Sequence, residues 1–198
     1  MRVPKPVVVA FVVLALGLIG FNIALVKQDH HLVALNRAYE ANLHLNVGAK
    51  VPPLSGSAAD GTPTIVTYGA GQPRTLLLVY ARSCPECALN WLSWQKLLNQ
   101  IDPTRARAIA VSMDGTGLSK QYIEQVGMTK AEAVLLPDLQ SIVLYRLRYT
   151  PQTILIGSDS KAEGIWSGVL NPHQLGDITR QALSPESALL TAKEARSK

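Results

Sequence analysis

Apolar positions along this chain change their spacing several times, and each change marks an element. Val7 to Val26 is apolar almost throughout, with Asn22 its only strongly polar residue. A run of about 20 apolar residues matches the hydrocarbon thickness of a bilayer. A cleaved signal peptide would have a shorter apolar region, roughly 7–15 residues, and a small-residue cleavage site. Ile23-Ala24-Leu25-Val26-Lys27 offers no convincing site, so the block is read as an uncleaved transmembrane anchor. Next, Leu32, Leu35, Tyr39 and Leu43 recur at three- and four-residue spacing between Asn36, Arg37, Glu40 and Asn42. That pattern predicts a helical stalk over Asp29 to Asn46, with one apolar stripe to pack on its own domain.

From Gly48 to Tyr68 the chain is rich in Gly, Pro, Ser and Thr, with a turn signal at Asp60-Gly61 and a short strand at Thr64 to Thr67. Thr75 to Tyr80 is near-continuously apolar, as in a strand covered on both faces. Ala88 to Gln100 is predicted helical, burying Leu89, Leu92, Leu97 and Leu98, and Asp102-Pro103 stops it. Strands are then expected at Arg107 to Met113, Ala133 to Leu136, Thr153 to Ile156 and Gly164 to Ser167. Helices are expected at Leu118 to Val126, closed by Gly127, at Leu139 to Leu147, and at Pro172 to Leu183. Strands alternating with helices, with a hairpin near the end, indicate an α/β sheet covered on both faces. The expected organisation is a cytoplasmic N-terminus over residues 1–6, the anchor over 7–26, the stalk over 27–47, one domain over 48–183, and a flexible tail over 184–198.

Charge adds an orientation. Arg2 and Lys5 precede the anchor, whereas Lys27-Gln28-Asp29 after it is close to neutral. The positive-inside rule puts the N-terminus in the cytoplasm and the domain outside it, on the periplasmic side of a cell membrane. A mean hydropathy of +0.14 is high for a soluble domain, and the anchor supplies much of it. The net charge of +5 comes partly from the ends, including Lys193, Arg196 and Lys198, and no Lys/Arg cluster is interleaved with aromatics. A nucleic-acid partner therefore has no support beyond the pI. The four histidines, His30, His31, His44 and His173, form no metal constellation in the sequence.

The two cysteines, Cys84 and Cys87, are the candidate chemistry. They fall between an apolar strand and a helix, in Cys84-Pro85-Glu86-Cys87. A helix N-terminus presents unpaired N–H groups and the positive end of the macrodipole, both of which stabilise a thiolate. A bridge across two residues closes almost no loop and removes little unfolded-state entropy, so the spacing suits exchange chemistry better than stapling. Cys84 is the expected attacking thiolate and Cys87 the resolving thiol. Glu86 is the nearest candidate proton relay for Cys87; it reads equally as a solvated first-turn acid favoured by the helix dipole. Arg82, Ser83 and Pro85 are expected to rim the site, and Trp91, Trp94 and Trp166 to form core or a wall beside it.

Taken in order, these motifs resemble the thioredoxin superfamily, in its membrane-anchored extracytoplasmic branch of the TlpA and ResA type, over roughly Gly48 to Leu183. Gly48 to Leu54 followed by Asp60-Gly61 is similar to a redoxin lead-in, and Leu76 to Leu98 holds the redox centre. Ala108 to Asp114 is similar to the strand that opens the branch's central insertion. Tyr149-Thr150-Pro151-Gln152-Thr153 is similar to the family's cis-proline strand, and Ile165-Trp166-Ser167-Gly168 to its final strand. The resemblance implies a thioredoxin-like fold: a central mixed sheet flanked by helices, with the central insertion, preceded by one transmembrane helix. It implies a thiol–disulfide oxidoreductase with no cofactor beyond the redox-active disulfide and no metal. It implies a cis Pro151 that sets the Thr150 backbone beside the cysteines for an extended partner chain; a trans proline starting an edge strand is the alternative. Protein disulfides are the implied clients, and a membrane thiol relay the implied electron donor. Some positions depart from family patterns. Leu78 stands where classical thioredoxins carry a buried acid, and Asn90 where some anchored members carry a Glu. Leu77 and Ala81 stand where a peroxiredoxin needs Pro and Thr/Ser, and the cysteine spacing is one short for a copper chaperone. The competing reading is a membrane-tethered binding or metal-handling domain without redox turnover.

Overall fold

A computed structural model of the chain describes residues 14, 16–29, 33, 45–115, 120–131 and 133–184. The chain divides into two compact units, residues 1–43 and 44–198. In the first, residues 16–29 form helix α1, and its apolar side chains, among them Leu16, Ile19, Phe21 and Ile23, are exposed. Asn22, the polar exception, donates from Nδ2 to the Leu18 carbonyl at 2.8 Å and so satisfies itself within the helix. No helix of the described residues is long and apolar enough to cross a membrane. The expected anchor lies only partly within the described residues, most of the expected stalk lies outside them, and so does the tail beyond Ser184. At the stalk's far end Leu45 and Asn46 are not helical, and Leu45 is buried in the core of the second unit.

That second unit is built on a seven-stranded sheet of order β2-β1-β5-β4-β3-β6-β7. The strands are β1 Leu54–Ser57, β2 Pro63–Val66, β3 Arg74–Tyr80, β4 Ala106–Ser112, β5 Ala133–Pro137, β6 Gln152–Ile156 and β7 Ala162–Ser167. Helices α2 Pro85–Gln100, α3 Lys120–Gln125, α4 Leu139–Tyr145 and α5 Pro172–Leu183 connect or follow them. β3, β4 and β5 run parallel, as crossovers through α2 and α3 require. β6 and β7 return antiparallel as the expected hairpin, and β1 and β2 extend the other side antiparallel.

Every residue of β3 is buried, because the pleat sends alternate side chains into two cores. Leu76, Leu78 and Tyr80 pack with Trp94 and Leu97 of α2, Ile123 of α3 and Ile178 of α5. Leu77 and Val79 pack on the other face with Tyr145 of α4, Leu54 of β1 and Leu45. The expected elements match the observed ones within a few residues, and two differences have clear causes. β1 gives no sequence signal because Ser55-Gly56-Ser57 is neither β-branched nor aromatic; it is a strand because β2 and β5 bracket it. A Cβ on Gly56 would sit 2.2 Å from the Leu136 carbonyl oxygen, so only glycine allows β1 this close to β5. On α2, Leu97 and Leu98 are buried as expected, but Leu89 and Leu92 are 69% and 68% exposed. The side of α2 that meets the sheet carries Cys87, Asn90, Trp94, Leu97 and Leu98 instead.

Candidate active site

The sheet's topology brings the sequence-predicted site residues together. β3 ends at Tyr80, so the following loop delivers Cys84 to the first turn of α2. β6 runs antiparallel to β3 with Gln152 opposite Val79, so the chain entering β6 arrives at that same end of the sheet. The Thr150–Pro151 bond there is cis. Ser112 pairs with Tyr80 in the parallel register, which sets the end of β4 and Asp114 beside them.

Cys84 is the N-cap of α2, with extended backbone at φ −88° and ψ 113°, and Pro85 occupies the first helical position. Proline is suited there, since its fixed φ is helical and its missing N–H is one the helix could not use. The Cys84 Sγ accepts from the Cys87 backbone N–H at 3.2 Å, occupying the place of a serine or aspartate cap. It also lies 3.4 Å from the Thr150 carbonyl oxygen and 3.8 Å from Glu86 Oε2, to either of which the thiol can donate. Cys84 is half-buried and Cys87 is buried; both are free thiols. Burial, above all, pushes the Cys87 thiol up to about 12. Its hydrogen bond with Cys84 adds to the rise, while the Ala81 backbone and the Thr150 side chain oppose it. The Thr150 carbonyl thus faces the Cys84 sulfur, and its side chain bears on the Cys87 thiol.

Glu86, the expected relay for Cys87, is exposed, and its carboxylate is directed at Cys84. Position in the helix explains this. Glu86 follows Pro85 on the outer side of the first turn, whereas Cys87 faces the core. The groups that act on the Cys87 thiol are Cys84, Ala81 and Thr150. Arg82 and Ser83, directly before Cys84, are exposed. The Arg82 N–H donates to Asp114 Oδ2 at 2.8 Å, and its guanidinium lies 5.2 Å from the Tyr122 ring centroid. Leu78 is fully buried, and Asn90 is buried with its Oδ1 accepting from the Leu170 N–H at 3.0 Å.

An aromatic wall completes the site. Trp91 meets Tyr80 edge-on at 5.4 Å, Tyr122 at 6.1 Å and Trp94 at 5.2 Å between centroids. Trp94 donates from Nε1 to Thr153 Oγ1 at 2.9 Å, which ties α2 to the strand after Pro151. Trp94 is buried in the core, and Trp91 packs partly buried against the same cluster. Tyr122 and Asp114 were not read as site residues from the sequence. Tyr122 enters through α3, between the parallel strands β4 and β5, so only tertiary structure brings it to the cysteines. His173, exposed, pairs with Asp177 at 3.0 Å on α5.

A strand–Cys-x-x-Cys–helix junction facing a cis-proline loop, on a mixed sheet with helices on both faces, defines a thioredoxin-fold protein. Comparison with solved structures agrees. A candidate thiol:disulfide interchange protein DsbE of Chlorobium tepidum superposes with a TM-score of 0.56 at 22% identity, over 70% of this chain and 96% of that one. The thioredoxin domain of a thiol-disulfide oxidoreductase from Bacteroides vulgatus gives 0.54 at 19%, over 71% and 99%. A peroxiredoxin-like protein of Aquifex aeolicus gives 0.56 at 13%, over 71% and 89%. No family model matches the sequence, and no curated protein does. The chain has the thioredoxin-like fold.

Proposed function

We propose that this chain is a membrane-anchored thiol–disulfide oxidoreductase that reduces protein disulfides outside the cytoplasm through the Cys84–Cys87 pair. The observation that carries the reading is the asymmetry of the two sulfurs. Cys84 caps a helix, accepts a backbone N–H and is partly exposed, whereas Cys87 is buried and held protonated. A nucleophile and a held resolving thiol need that asymmetry.

In the forward reaction the Cys84 thiolate attacks one sulfur of a client disulfide. The client S–S bond breaks, its other sulfur leaves as a thiolate and takes up a proton, and a mixed disulfide forms at Cys84. Once Cys84 is bonded, its thiol no longer holds the Cys87 proton through their mutual hydrogen bond. Cys87 then attacks Cys84 Sγ as its proton passes to the departing client sulfur, releasing the reduced client and leaving a Cys84–Cys87 disulfide. Two electrons pass from the dithiol to the client, and a membrane thiol relay would return them. Thr150, beside both sulfurs, and the cis Pro151 form the platform for an extended client chain, with Arg82, Ser83 and Pro85 at the rim. The Glu86 carboxylate lies 3.8 Å from Cys84 Sγ, within reach of the thiol.

The test is stoichiometric oxidation of the reduced full chain, in detergent, by glutathione disulfide. Loss of both thiols with release of two equivalents of glutathione is expected, and retention of both thiols would dismiss the reading.

A further inference from the structure

The buried side of α2 carries polar atoms at two positions where an aliphatic side chain would pack. Cys87, Asn90 and Trp94 succeed one another along that side at three- and four-residue spacing, and each is fully buried. Asn90 Oδ1 accepts from the Leu170 N–H at 3.0 Å. Its Nδ2, equally buried, has no hydrogen-bond partner among the described residues. A half-paired buried amide weakens a fold relative to a leucine of similar size, so packing does not account for Asn90. One turn further on, Trp94 donates from Nε1 to Thr153 Oγ1 at 2.9 Å.

Both bonds lead to the segment that faces the cysteines. α2 and β6 run away from the site in the same direction, α2 as the crossover between parallel β3 and β4, β6 by its antiparallel pairing with β3. From Cys87 to Trp94 is about 10 Å of helix, and from Thr150 to Thr153 about 10 Å of strand. The Trp94–Thr153 bond therefore fixes how α2 is set lengthwise against β6, and with it the height of Cys87 against Thr150. The Asn90 bond acts nearer the site. It holds Leu170, which closely follows Gly168, and the Gly168 N–H donates to the Pro151 carbonyl at 2.8 Å. We propose that Asn90 and Trp94 are positioning residues of the redox site, which hold the Thr150–Pro151 segment to the helix that carries both sulfurs. The proposal rests on the oxidoreductase reading and adds two residues to it. Resolution by Cys87 is the step that depends on them. Cys87 is buried and the Thr150 side chain favours its thiolate, whereas Cys84 is partly open to solvent.

The test follows the reduced full chain, in detergent, with glutathione disulfide. Attack by Cys84 releases one glutathione and leaves the other joined to Cys84. Attack by Cys87 then breaks that bond, forms Cys84–Cys87 and releases the second glutathione, which takes the Cys87 proton. Acid-quenched samples separated by mass give the rate of each step. Thr153→Val keeps the side chain's shape and removes the acceptor, and Asn90→Leu removes the other tie. Each should slow the second step about tenfold and leave the first unchanged, so that the glutathione adduct accumulates. Thr153→Ser keeps the hydroxyl and loses the methyl, and should resolve as wild type does. Circular dichroism shows which variants fold; Trp94→Phe and Asn90→Ala replace Thr153→Val and Asn90→Leu if either does not. A packing role predicts the reverse, with Thr153→Ser slower than Thr153→Val or both steps slowed together, and either result would overturn the proposal. So would resolution at the wild-type rate in the folded variants. Wild type that leaves glutathione disulfide untouched would instead sink the oxidoreductase reading.

Discussion

The Cys87 thiol is pushed from 9.0 to about 12, first by burial and then by its hydrogen bond with Cys84, and so stays protonated near neutral pH. An acid whose folded pKa exceeds its unfolded one favours the fold while protonated. Its contribution is complete below pH 9.0 and is lost as the pH rises from there through about 12. In the reduced protein the urea midpoint should therefore fall more steeply across that window in wild type than in Cys87→Ser; parallel curves would contradict the burial of this thiol. Chemistry divides the same way. Cys87→Ser should stall at a mixed disulfide with glutathione, visible as a mass increase, whereas Cys84→Ser should form none at neutral pH. The cysteine pair itself was legible from its two-residue spacing and its place between an apolar strand and a helix. The partner of Glu86 was not, because it depends on which side of the first turn a side chain leaves.

Among the helices, α5 was the most legible and the buried side of α2 the least. Pro172 announces α5, and the structure adds a full capping box, with Asn171 Oδ1 accepting from the Gln174 N–H at 2.9 Å and the Gln174 side chain accepting from the Asn171 N–H at 3.0 Å. Asn171→Ala should cost about 1 kcal/mol of stability by chemical denaturation; an unchanged midpoint would mean the cap carries no weight. α2 has apolar residues on two sides, and periodicity counts them without saying which side the sheet covers. The expected burial of Leu89 and Leu92 failed for that reason. Leu97 sits in the sealed seam between α2 and the sheet, so Leu97→Ala should cost about 2–5 kcal/mol. Leu92→Ala, on the exposed side, should leave the denaturation midpoint within about 0.5 kcal/mol of wild type.

For the whole molecule, the alternation of strands and helices was enough to anticipate an α/β sheet covered on both faces. The order β2-β1-β5-β4-β3-β6-β7 was not, since strand neighbours are set by crossovers that no local pattern records. That order matters for function: it sets the chain entering β6 against the end of β3, and the Thr150 carbonyl 3.4 Å from Cys84 Sγ. The apolar block Val7 to Val26 supports a proposed anchor, with the domain on the periplasmic side. Protease added to sealed, right-side-out vesicles should then digest the domain, and protection until the vesicles are opened would contradict that orientation.

The reduction potential of the Cys84–Cys87 pair, equilibrated in the full chain against defined dithiothreitol ratios, tests the central claim most directly. A reversible two-electron couple near or below thioredoxin's, about −270 mV, is the predicted result. A value near that of DsbA, about −120 mV, would contradict the reducing direction, and the absence of any reversible couple would contradict the redox function itself.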